Sequence, residues 1–92
     1  MRKYEVVCIL HPDLDETAMT AAVDRIKGWI TEAGGTISTV DVWGKRQLAY
    51  AIRKQRTGQY VYLEADMEPA STKELDRNLR FLEPLMRYMI VV

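Results

Sequence analysis

The chain has 92 residues, 48% apolar and 28% charged, which is a single folded domain and too short for a two-lobed enzyme with its site in a cleft. Thirteen Lys and Arg balance thirteen Asp and Glu, so a uniformly basic nucleic-acid coat protein is excluded although a local basic patch is not. One cysteine, Cys8, excludes an internal disulfide and a paired-cysteine metal or redox site, and no apolar run approaches the ~20 residues of a membrane helix.

Taken in order, Tyr4–Leu10 is apolar after Glu5 and rich in β-branched side chains, the pattern of a strand. Cys8 lies inside it as a small buried hydrophobe. His11-Pro12-Asp13 breaks the strand, and Asp15 is placed to cap a helix. Met19, Ala22, Val23, Ile26, Trp29, Ile30 and Ala33 recur at three- and four-residue spacing, and Gly34-Gly35 ends the helix. Thr36–Val42 reads as a second strand that can continue through Trp43 to Ile52, with Gly44 as a bulge. Arg53–Thr57 reads as a basic connection and Gly58 as the opening of a third strand, Gln59–Met67. Ser71-Thr72-Lys73-Glu74 has the form of a capping box for a second helix whose stripe is Leu75, Leu79 and Leu82. Pro84 ends that helix and Leu85–Val92 is the last strand.

The order β-α-β-β-α-β predicts an α+β, ferredoxin-like domain over residues 1–92, a four-stranded antiparallel sheet with both helices on one face. The other face then has no cover from this chain. Glu64 and Asp66 must face water, which turns Val61, Leu63, Ala65 and Met67 to the helices and puts Tyr60 and Tyr62 on the open face. In the first strand, Val6, Cys8 and Leu10 or else Val7 and Ile9 face the core; the parity is open, as it is for the last strand. Tyr and Val favour strands for their own reasons, but an open face this apolar suits docking.

Charge is unevenly placed. Lys45, Arg46, Arg53, Lys54 and Arg56 lie between Val42 and Leu63 with no Asp or Glu among them. Trp43, Tyr50 and Tyr60 interleave with these cations, a combination suited to phosphate contacts and base stacking, though a solvated charged hairpin has the same composition. Catalytic signals are absent: the lone His11 sits in a turn, and there is no glycine-rich phosphate loop. An acylphosphatase-type enzyme of this fold would need an arginine in the first strand-to-helix loop and an asparagine on the next strand. The loop here, His11-Pro12-Asp13-Leu14-Asp15, is acidic, and Asn78 lies on the second helix. A ligand-sensing module of the same fold leaves the basic hairpin unexplained. The RNA-recognition motif is matched only in its alternating third-strand aromatics.

The whole chain resembles the bacterial small-subunit ribosomal protein six family. The resemblance rests on Met1-Arg2-Lys3-Tyr4-Glu5-Val6, on the His11–Asp15 turn, and above all on Trp43-Gly44-Lys45-Arg46-Gln47-Leu48-Ala49-Tyr50-Ala51-Ile52-Arg53-Lys54 followed by Gly58-Gln59-Tyr60. Ala51 stands where the family often has proline, and the chain ends at Val92 without the longer tail of many members. The resemblance implies no enzyme activity and no cofactor or metal. It implies a cytoplasmic protein of the small ribosomal subunit that binds 16S ribosomal RNA together with ribosomal protein eighteen. On that reading Arg2, Lys3, Lys45, Arg46, Arg53, Lys54, Arg56 and Arg87 are expected at RNA phosphates, and Trp43, Tyr50, Tyr60 and Tyr62 on the protein-partner face. Self-association of the isolated chain through the open face is also expected.

Overall fold

The computed structural model describes residues 1–92. Its elements are β1 (Arg2–Leu10), α1 (Glu16–Glu32), β2 (Thr36–Ile52), β3 (Gln55–Met67), α2 (Ser71–Arg80) and β4 (Leu85–Val91). The four strands form one sheet in the order β2-β3-β1-β4, with every neighbouring pair antiparallel. This is the predicted ferredoxin-like arrangement.

Local chemistry sets the first helix. The Asp15 carboxylate accepts the Ala18 N–H at 2.8 Å, satisfying one of the amides a helix start leaves unpaired. At the far end, the Gly34 N–H donates to Thr31 O at 3.0 Å and the Gly35 N–H to Ile30 O at 2.9 Å, the paired bonds of a Schellman stop. Gly34 holds a φ of +87°, and a Cβ on Gly35 would lie 2.8 Å from Ile30 O. Both glycines are therefore dictated by the stop.

The main core lies between helices and sheet. Val6, Cys8, Leu10, Val61, Leu63 and Ala65 are sealed from solvent and pack with Met19, Ile26, Ile30, Leu75 and Leu79. The parity left open in β1 is thus settled: Tyr4, Val6, Cys8 and Leu10 face the helices. Burial pushes the Cys8 thiol up to about 12, so it stays protonated and acts as a small hydrophobe.

Three expectations need correction. The connection between β2 and β3 is only Arg53-Lys54, since Ile52 already pairs with Gln55; Arg56 and Thr57 are strand residues and Gly58 lies inside β3. The capping box does not form: Ala70, with helical dihedrals, stands at the helix start and makes no side-chain cap. The chain turns one step earlier, where Ser71 N–H donates to Glu68 O and the Thr72 hydroxyl donates to Pro69 O at 2.7 Å. The third correction concerns the open face. Where β2 and β3 run past the rest of the sheet, their pairing register shifts between Gln47 and Ile52. That part of the hairpin, the arm, brings Leu48 onto Ile9 and Met86 in a second small core flanked by Ile52 and Tyr60. One end of the face is therefore covered by the chain itself.

Candidate nucleic-acid and protein interface

Gly58-Gln59-Tyr60 places the arm, and each residue has a distinct task. A Cβ on Gly58 would fall 2.5 Å from Ile9 Cγ2 and 3.1 Å from Met86 Cε, so only glycine lets the arm close on the sheet without displacement. The Gln59 carboxamide donates to His11 O, Pro12 O and Leu14 O at 3.2, 3.3 and 3.0 Å. It thereby fixes the loop before α1 with the loop's carbonyls turned inward. His11 Nδ1 accepts the Asp13 N–H at 3.1 Å, so the lone histidine is a turn residue. A loop with inward carbonyls and exposed Asp13 and Asp15 is a poor phosphate cradle.

Tyr60 begins an aromatic ladder. The Trp43 ring, on the extra residue of a bulge between Val42 and Gly44, stacks on Tyr60 at 6.1 Å and 17° and on Tyr62 at 5.7 Å and 8°. Its indole N–H donates to Asp41 at 3.0 Å, and the Arg46 guanidinium lies 5.9 Å from its ring centroid. Stacked pairs and a cation over a ring each stabilise by about 0.5–1.5 kcal/mol, so the ladder is held before any ligand arrives. Trp43 remains 42% exposed, leaving part of its ring free for a further contact.

Lys45, Arg46, Arg53, Lys54 and Arg56 are all exposed. The ion pairs of the chain involve the N-terminus, Lys3, Lys27 and Arg80, and none of the arm cations. The only side-chain bond among those five cations is long: Arg53 Nη1 to Glu83 O at 3.4 Å. Arg87 adjoins the arm, donating to the Tyr50 hydroxyl with its guanidinium 5.8 Å from that ring's centroid. Two residues expected at different partners, Arg87 and Tyr50, are thus one unit. Arg2 and Lys3 lie at the other end of the sheet, opposite Met67 and Asp66, and Lys3 pairs with Glu64 at 3.6 Å.

Between these ends the open face is apolar. Tyr62 lies opposite Val7, and Val7 opposite Met89; Met89 and Val91 are 51% and 40% exposed. The Tyr62 hydroxyl donates to Glu64 Oε1 at 2.6 Å. That bond raises the phenol above its ordinary 10.0 and lowers the Glu64 carboxyl below its ordinary 4.5. Stability from Glu64 is therefore present above the carboxyl range and lost as pH falls through it. Stability from Tyr62 is present below the ordinary phenol range and lost as pH rises beyond it. Tyr62→Phe is expected to flatten both flanks of the melting temperature against pH; a profile matching the parent would deny the bond any contribution.

A ferredoxin-like domain with a half-open apolar face and a cationic arm free of internal carboxylates presents the surfaces of an assembly protein. The comparisons agree. Residues 3–92 match the family described as ribosomal protein S6. The chain is 46% identical over 91 residues to small ribosomal subunit protein bS6 of Clostridium kluyveri, covering 99% of this chain and 96% of that one. It is 44% identical over 90 residues to the bS6 protein of Moorella thermoacetica, covering 98% and 92%. The crystal structure of 30S ribosomal protein S6 from Thermotoga maritima superposes with a TM-score of 0.92 at 29% identity, covering 97% of this chain and 84% of that one. The chain belongs to the ribosomal protein S6 family, which sets aside the phosphatase and ligand-sensing alternatives. Its role is structural, in the small ribosomal subunit. No helix is long and apolar enough to cross a membrane.

Sequence reasoning located the arm cations and the aromatics, but it missed the contributions of Gln59, Leu48 and Met86. The signal for Gln59 was its place between an unexplained strand glycine and a tyrosine. Met86 carried no signal, because it turns to the open face through a register shift near Leu10.

Proposed function

We propose that this chain binds 16S ribosomal RNA through its arm and holds ribosomal protein eighteen on the open sheet face, as a structural element of the cytoplasmic small ribosomal subunit. The observation that carries the RNA half is that Lys45, Arg46, Arg53, Lys54 and Arg56 are exposed and no carboxylate of the chain neutralises them. Unpaired cations on a protruding hairpin, beside a half-exposed indole, suit phosphate contacts with base stacking alongside. The protein half is supported by the apolar strip of Val7, Tyr62, Met89 and Val91, which neither helix nor arm covers.

The division between the two ligands follows from charge. Arm residues and Arg87 take the RNA; Tyr60, Tyr62 and the outer edge of Trp43 sit at the boundary, with Tyr50 reaching RNA only through Arg87. Arg2 and Lys3 are the weakest RNA candidates, because Lys3 is engaged by Glu64. With a net charge of zero, the chain alone gives weak RNA binding, and a basic partner supplies the remaining phosphate contacts.

Lys45→Ala/Arg46→Ala tests the arm. With protein eighteen present, the slope of log affinity for small-subunit ribosomal RNA against log salt should become shallower by about two, at roughly one unit per lost phosphate contact. An unchanged slope would remove this part of the arm from the RNA interface.

A further inference from the structure

The open face carries a charge conflict that the fold itself does not resolve. Glu5 on β1 lies directly opposite Glu64 on β3, with Val91 of β4 on its other side and Thr39 of β2 beyond Glu64. Like charges directly across a strand pair destabilise a sheet. The available donors serve Glu64 first: Tyr62 gives its hydroxyl proton to Glu64 Oε1 at 2.6 Å, with Glu5 only a lesser neighbour of the same phenol, and Lys3 sits 3.6 Å from Glu64 Oε2. Glu5, half-buried, makes no ion pair within the chain, and its one polar neighbour is the Tyr62 hydroxyl, already committed to Glu64. Asp66, one pair further along the same face, adds another carboxylate.

We propose that Glu5 is a specificity residue of the open face, accepting an arginine or lysine of the protein partner whose neighbouring apolar side chains lie on Val7, Met89 and Val91. The inference rests on the reading of this face as a protein-docking surface and adds the chemistry of the occupant. Carboxylates at Glu5, Glu64 and Asp66 outnumber the one cation among them, Lys3, which Glu64 engages; the surplus would repel a phosphate backbone, so this end of the face selects a cationic polypeptide over RNA. They also disfavour a second copy docked in register, which would bring the same acids together. A carboxylate already partly desolvated and without a cation of its own gains more from an arriving one than a fully hydrated carboxylate does.

The test measures affinity for purified ribosomal protein eighteen by titration calorimetry at several salt concentrations, and the melting temperature of each isolated chain. Glu5→Gln should weaken binding about tenfold and flatten its salt dependence, while the isolated chain melts at the parent temperature or above it because the opposed charges are gone. Glu5→Lys should weaken binding further. If Glu5→Gln binds as the parent does, or loses affinity only in step with its own stability, the inference is wrong and the docking face stands. If Glu5→Gln tightens RNA binding at the expense of protein eighteen, RNA occupies this end and the inference is again wrong. If the unaltered chain fails to bind protein eighteen at all, the docking reading falls and this one with it.

Discussion

Gly58→Ala is expected to destabilise the chain by about 1–3 kcal/mol, the usual range for forcing a methyl into a packed site. Its effect should be concentrated in the arm. The new methyl would meet Ile9 Cγ2 at 2.5 Å, Met86 Cε at 3.1 Å and Leu10 O at 3.4 Å. Met86 can swing its terminal methyl away, but Ile9 is β-branched, with few rotamers to choose from, and its backbone is paired on both sides with Tyr60 and Arg87. The lowest-cost response is for the arm to lift, which parts Leu48 from Ile9 and Met86 and draws Tyr50 from Arg87. Hydrogen exchange at Leu48–Ile52 should rise well before exchange at Val61–Ala65, because local opening and global unfolding become separate events. Combining Gly58→Ala with Ile9→Ala should cost less than the two changes summed, since the second removes the methyl that the first strikes. Additive losses, or uniform exchange along the sheet, would show that the arm is not held by this contact.

The parts of the fold legible in the sequence are those where one face is dry and the other wet. In β3 the acids Glu64 and Asp66 mark water and fix the parity of every neighbour; Asp15 and Gly34-Gly35 mark the limits of α1 because cap chemistry is local. In β1 parity was unreadable because both faces are apolar, and the structure gives the reason: helices cover Val6, Cys8 and Leu10, while the arm covers Ile9. An unbroken hydrophobic run was thus the trace of the arm's return. The return itself is a non-local event, built from register shifts between Val42 and Gly44 and between Gln47 and Ile52. No residue type announces such shifts, and Gly58, which in the sequence has the look of punctuation, serves a close approach by its small size. The second helix misled in the opposite way. Ser71 and Glu74 have the right spacing for a capping box, but Glu68 O and Pro69 O already capture the first amides and the Thr72 hydroxyl in a tighter turn. Of the interface, residue types were legible and grouping was not: the eight candidate cations separate into an arm set with Arg87 adjoining and a remote pair, Arg2 and Lys3.

The tip of the arm sets function against stability most directly. Arg53 and Lys54 hold φ values of 49° and 65° in a two-residue hairpin closed by the Ile52–Gln55 pair. Positive φ at both central positions is the requirement that makes Asn-Gly the favoured pair in such turns. For residues with a Cβ this conformation costs about 1–2 kcal/mol each. Asparagine tolerates it and glycine is free of it, so Arg53→Asn/Lys54→Gly should stabilise the isolated chain by about 1–2 kcal/mol even after the long Arg53 bond to Glu83 O is lost. The same change removes two exposed cations that no carboxylate of the chain engages. RNA affinity in the presence of protein eighteen should therefore fall, and the salt slope should become shallower by about two, while binding of protein eighteen alone is unaffected. Denaturant titration and salt-dependent RNA binding on one pair of proteins read both halves. A gain in stability with unchanged RNA binding would remove the tip from the interface and leave its cations without a role. Loss of stability would mean that the turn draws more from the Arg53 contact than from relief of its backbone. The expected pairing, a more stable protein that assembles less well, is the signature of side chains kept for their ligand at the fold's expense.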